Sequence, residues 1–129
     1  MKNFEPVYKE LENLFINEFP EYIEKINKEH NDGIILKQFE NKSLEENCIK
    51  IPSFSFKIED SECSEKDRII ENTVFKISLE IKFNSYTENK SIFLYRYVEA
   101  IQKMFDEEEL NQYEIIKIKE NIIFIRINN

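Results

Sequence analysis

Four consecutive carboxylates, Asp106-Glu107-Glu108-Glu109, are the first residues whose type could do chemistry, because clustered acids can hold a hard cation or exchange protons. Their spacing argues against both. Consecutive acids splay around a helix end, and the run lacks the alternating oxygens and the glycine of a calcium loop. A solvated or inter-subunit acidic surface is the expectation, and Glu45-Glu46 and Glu59-Asp60 are weaker versions of it. His30, the only histidine, could be a general base, but it sits between Glu29 and Asn31 at the exit of a short helix. The helix dipole favours a cation there, so a structural or exposed histidine is expected. Cys48 and Cys63 have no neighbouring histidine, and a zinc site would have to be completed by carboxylates. Two buried reduced thiols are the expectation. Ser53, Ser55 and Ser78 have no identifiable histidine with a fitting third partner. No catalytic residue, metal site or cofactor is assigned, and the chain is expected not to be an enzyme.

What is missing narrows the chemistry further. Gly33 is the only glycine, which removes the phosphate loop, the dinucleotide fingerprint and the nucleophile elbow, all built on glycine turns. The 129 residues suit one domain, read as 1–129, and 41% apolar composition with 11 Phe and 6 Tyr is enough to build a core. A formal charge of −8 repels nucleic-acid phosphates, and no basic patch stands out along the chain, so no sequence-specific nucleic-acid binding is expected. The start Met1-Lys2-Asn3-Phe4-Glu5-Pro6 has no secretory apolar core, and no apolar run is long enough to span a bilayer. A soluble protein made in the cytoplasm, with no membrane partner, is expected.

Hydrophobic periodicity then supplies the elements. Asn3 can cap a helix opened by Glu5 and Pro6, with Val7, Leu11, Leu14 and Phe15 on one face. Pro20 is expected to interrupt it, and Tyr22, Ile23 and Ile26 form a second short helix that leaves through Gly33 in a left-handed conformation. Ile34, Ile35, Leu36 and Phe39 suggest a first strand, and residues 49–58 a second whose register slips at Pro52. Glu59 to Arg68 reads as a polar loop. Phe75, Ile77, Leu79, Ile81 and Phe83 alternate with polar residues in a strand that has one wet face. After a turn at Asn84 to Asn89, with Asn89 as cap, Leu94, Val98, Ile101 and Phe105 mark the main core helix. Residues 114–118 and 122–127 form a closing hairpin.

The fold class is therefore α+β: a largely antiparallel sheet of about five strands with helices packed on one face, in the order α-α-β-β-β-α-β-β. The aromatics Phe54, Phe56, Phe75, Phe83, Phe93, Tyr95 and Tyr97 fall mostly on inward faces and read as core, with any surplus available to a protein interface. Strands 74–84 and 113–127 are long for a small domain, and an unpaired edge strand is a template for another chain.

The stretch Ile69-Ile70-Glu71-Asn72-Thr73-Val74-Phe75-Lys76-Ile77-Ser78-Leu79-Glu80-Ile81, a polar turn, and Leu94-Tyr95-Arg96-Tyr97-Val98-Glu99-Ala100-Ile101-Gln102-Lys103-Met104-Phe105 together resemble the tail-terminator, or tail-completion, proteins of tailed bacteriophages. The resemblance runs from Ile49 to Ile127 and rests on pattern, without a catalytic or metal motif. It implies a structural virion protein that assembles with itself into a homohexameric ring at the head-proximal end of the tail. Such a ring caps the tail tube protein, joins it to the head-completion or connector protein, and is built in the host cytoplasm. An acidic chain suits that role, since a negative lumen lets DNA pass without sticking. By the same analogy Glu59, Asp60, Glu62, Glu65, Lys66, Asp67 and Arg68 would contact the tube or another partner. The competing expectation is a small acidic immunity or antitoxin-like inhibitor of a basic toxin, presenting Asp106 to Glu109 and Glu59 to Asp67 where nucleic acid would bind.

Overall fold

A computed structural model describes residues 4–39, 52–66, 69–83 and 90–128. Asn3, Glu45, Glu46, Cys48, Ile49, Ile51, Asp67, Arg68 and Asn89, to which the sequence assigned roles, lie outside the described residues. The class is α+β, with helices on one face of an antiparallel sheet. Among the described residues the sheet has four strands, not about five, and the element order is α-α-β-β-α-β-β.

Helical structure begins at Glu5 with Pro6 in its first turn, where a missing N–H costs nothing. The α1 helix (Glu5–Asn13) runs straight into a π-helical turn (Leu14–Glu18) and then α2 (Phe19–His30), so Pro20 does not interrupt the rod. The widened turn explains why. Proline cannot donate to the carbonyl four residues back, and a π turn placed just before it rearranges the ladder, with the Phe19 N–H reaching Leu14 O. The exit from α2 also differs from expectation. Asn31, not Gly33, takes the left-handed C-cap position with φ of 43°, and Gly33 follows at φ of +86°.

Residues 34–39 form no strand. They cross the helical layer as an extended strap that side chains hold in place of a ladder. Asn27 donates to Leu36 O at 3.0 Å and accepts from Leu36 N at 2.7 Å, doing with one amide what a neighbouring strand would do. Tyr97 donates to Lys37 O at 2.6 Å and Gln38 to Pro20 O at 2.8 Å. The strap has the apolar content of a strand, but its backbone groups are already bonded to helix side chains.

The sheet order is β1 (Ser53–Lys66), β2 (Ile69–Lys82), β4 (Ile122–Asn128), β3 (Tyr113–Lys119), antiparallel throughout. Of the segment read as a loop, Glu59 to Arg68, residues 59–66 lie inside β1 and pair with β2. Pro52 lies just ahead of β1, where its missing donor does no harm. The register shifts come later, at Ile58/Asp60 and Ser64/Glu65. The strand with the cleanest alternation, β2, is central and not an edge, because it pairs with both β1 and β4. Among the described residues the edges are β1 and β3.

Alternation sorts the two faces. Phe75, Ile77, Leu79 and Ile81 of β2 and Ile123, Ile125 and Ile127 of β4 are buried against α1, α2 and α3 (Lys90–Glu107). Ile23, Ile26, Ala100, Ile101 and Met104 come down from the helices onto them. A chain of aromatic contacts, Phe15 with Phe54 and Phe56, and Phe39 with Phe54 and Tyr97, ties the strap, the π turn and β1 into the same core.

Candidate functional site

The acidic run is placed by the end of α3. Glu109 N donates to Asp106 O and Leu110 N to Phe105 O at 2.8 Å, the paired bonds of a Schellman ending, with Glu109 itself left-handed at φ of 55°. Two of the four carboxylates face α2. Tyr22 donates to Glu108 at 2.7 Å, and Lys25, lying over the Tyr22 ring, reaches Glu107 at 3.2 Å. Burial and the Glu108 carboxylate push the Tyr22 hydroxyl pKa up. Asp106 accepts from Gln102 at 3.0 Å. The run therefore opens a seam between antiparallel helices. Lys103 to Glu29 at 2.7 Å, His30 to Glu99 at 2.9 Å and the Arg96–Asp32 pair continue it.

That seam accounts for His30, whose ring bonds Glu99 across the two helices. Ser53, Ser55 and Ser78 belong to sheet strands, and the Ser78 hydroxyl donates to Glu59 at 2.7 Å. Topology thus puts the histidine and the serines in different layers. No cluster of three or more metal-ligating side chains occurs among the described residues. At the far end of the seam, Arg96 is nine-tenths buried and spends its guanidinium on Asp32 and on Ile34 O at 3.0 Å. The Arg96 guanidinium holds the Asp32 carboxyl down to about 2.

Of the residues expected to contact a tube, Glu59, Asp60, Glu62, Glu65 and Lys66 lie on β1. Glu59 faces away from the helices, bonded to Ser78, whereas Asp60, Glu62, Glu65 and Lys66 follow along β1 toward the hairpin end. Among the described residues, pairing between β2 and β4 stops at Val74↔Asn128, and Cys63–Lys66 pair with β2 alone for about 13 Å. Of the exposed isoleucines, Ile58 lies on β1 and Ile116 and Ile118 on β3, while Ile35 is in the strap and Ile92 in α3.

The structure also assembles a mixed-charge surface on the sheet. By register the helix-free face carries Lys57, Lys76, Lys82, Lys117, Lys119 and Arg126 alongside Glu59, Asp60, Glu62, Glu80 and Glu114. The signal was available. Each strand's wet positions mix lysine or arginine with acids, and strand pairing sets the two signs opposite each other, as at Asp60↔Lys76 and Glu114↔Arg126.

A cleft of about 330 Å³ opens between the start of α3 and the β3–β4 turn, lined by Phe83, Lys90, Ser91, Leu94, Glu120 and Asn121. No described helix is long and apolar enough to cross a membrane. In comparison with known proteins, no family model matches the chain and no curated sequence matches it.

Proposed function

We propose that this chain is a non-enzymatic assembly protein that builds a closed ring by pairing sheet edges, in the manner of a tail terminator that caps a tail tube and joins it to a head connector. The observation that carries this reading is the direction of the edges. The four strands alternate, so β1 and β3 run opposite to each other. Copies turned about an axis along the strands then bring β3 of one beside β1 of the next in antiparallel register. Such a contact is heterologous, and it closes into a ring when the rotation allows. It would cover Ile58 on one side and Ile116 and Ile118 on the other, and it would satisfy edge backbone groups that otherwise invite uncontrolled pairing.

The two-stranded end of the β1–β2 hairpin supports the same reading, since a ribbon without a third strand has little stability of its own and gains from a neighbour. The virion location, the tube protein and the connector come from the family resemblance and belong to this proposal. The inhibitor reading is less well supported, because Glu107 and Glu108 are spent on Lys25 and Tyr22 within the molecule.

Light scattering after size exclusion, with negative-stain imaging of any large species, tests the proposal. A closed ring, lost in Ile58→Glu and in Ile118→Glu while the circular dichroism stays unchanged, is the expected result. A single copy at every concentration up to solubility, or rings indifferent to both substitutions, would overturn it. A compact one-to-one complex with a basic nuclease would instead establish the inhibitor.

A further inference from the structure

Asp32-Gly33 is a dipeptide with chemistry of its own. When an aspartyl carboxyl is protonated, the amide nitrogen of the next residue can attack its side-chain carbon, and glycine has no Cβ to keep that nitrogen away. A bond forms between Gly33 N and Asp32 Cγ, the Cγ–OH bond breaks, and the N–H proton leaves with that hydroxyl as water. Water then opens the five-membered ring at either carbonyl. Opening at Cγ restores aspartate, and opening at the main-chain carbonyl leaves an isoaspartate whose backbone runs through Cβ and Cγ. The sum is an isomerisation that needs no co-reactant besides solvent.

The fold leaves this dipeptide open to water and restrains it chiefly through one side chain. Asn31, Asp32 and Gly33 are all exposed, and the chain leaves α2 through left-handed φ values of 43° at Asn31 and +86° at Gly33. A Cβ built on Gly33 meets no atom within 4 Å, so crowding does not hold the glycine. What is held is the carboxylate. Arg96 donates from Nη1 to Oδ1 at 3.0 Å and from Nη2 to Oδ2, and Ile34 N donates to Oδ1 at 3.2 Å. A two-pronged, charge-assisted pair fixes the plane of the carboxylate and keeps it ionised. Arg96 is itself anchored, being 9% exposed and bonded to Ile34 O at 3.0 Å. Holding Asp32 at about 2 instead of 3.8 cuts the protonated share near neutral pH by more than about tenfold.

We infer that Asp32-Gly33 is an isoaspartate-forming site that the Arg96 fork keeps closed in the folded chain. Conversion is then tied to local opening of the α2–α3 seam, because each opening frees the carboxyl to take a proton and turn toward Gly33 N. It is also one-way in effect. Isoaspartate adds a methylene to the main chain and moves the free carboxylate, so the fork cannot re-form in the same place. The seam therefore records time spent open as a covalent mark at the exit from α2. The site shares no residue with the sheet edges, so it is independent of the assembly proposed above.

In the test the full chain is incubated near neutral pH, folded or in denaturing guanidinium chloride, and isoaspartate at Asp32 is counted by peptide mass spectrometry with electron-transfer fragmentation. Methylation by an L-isoaspartyl methyltransferase gives an independent count. The denatured chain should convert at least about tenfold faster than the folded one. Arg96→Gln and the conservative Arg96→Lys, each shown by thermal melts to be folded at the incubation temperature, should recover most of that difference. Lys103→Gln, which breaks the neighbouring pair with Glu29, should leave the rate unchanged. Equal rates in the folded and denatured parent would overturn the inference. So would a folded Arg96→Gln chain that converts no faster than the parent, since backbone geometry and not the guanidinium would then be the restraint. An equal acceleration in Lys103→Gln would overturn it too, by making general loosening of the seam the cause.

Discussion

Asp32 and Arg96 show how a single pair can define a segment's path. Arg96 is buried at the end of the α2–α3 seam, and its bonds to Asp32 and Ile34 O fix where the chain turns off α2 into the strap. Asp32 is held at about 2 against an ordinary 3.8, so its contribution to stability is present above about pH 4 and is lost as pH falls toward 2. Asp32→Asn should therefore melt at a lower temperature than the parent at pH 6, and the two should converge near pH 2. Tyr97 works in the opposite direction. Burial raises its hydroxyl pKa, so that stability is complete below about pH 10 and falls as pH rises beyond it. Tyr97→Phe should cost about 1 kcal/mol at neutral pH through the lost bond to Lys37 O and should blunt the alkaline loss, as measured by urea unfolding.

Among the elements, the ends of helices carry the sharpest expectations. The left-handed residue that closes α3 is Glu109, at a position where glycine has no Cβ to strain. Glu109→Gly should stabilise the fold by about 0.5–1 kcal/mol in denaturant unfolding, with Glu109→Ala giving no such gain. Both bonds between Asn27 and Leu36 anchor the strap, and Leu36 is 2% exposed, so water cannot readily replace them. Asn27→Ala should cost about 2 kcal/mol by the same measurement and should raise hydrogen exchange at Leu36 above that of the sheet amides. These details also show why the strap was misread. Ile34, Ile35, Leu36 and Phe39 look like a strand because apolar content is all the sequence shows, and the partners that replace a ladder come from α2 and α3.

For the molecule as a whole, a single contiguous core holds the helical layer to the sheet. Ile125 sits fully buried on β4 between β2 and β3. Ile125→Ala should cost about 3 kcal/mol in equilibrium unfolding, in one transition, because every element that packs on the sheet shares that core. Charge is also a property of this scale. On the wet sheet face cations and acids are interleaved, with Asp60 opposite Lys76 and Glu114 opposite Arg126, so strand pairing balances charge across the sheet.

Short-range pattern by itself determined the α+β class, the helix at Lys90 to Glu107, the alternation of β2 and the closing hairpin, since each of these depends on a period of two or 3.6 within one segment. Tertiary structure alone decided the rest. Whether 34–39 is a strand, whether β2 is an edge, and which charges face each other across the sheet all depend on which segments become neighbours. Residues distant in the chain supply those answers: Asn27 for the strap, β4 for β2, and Lys76 opposite Asp60 for the wet face.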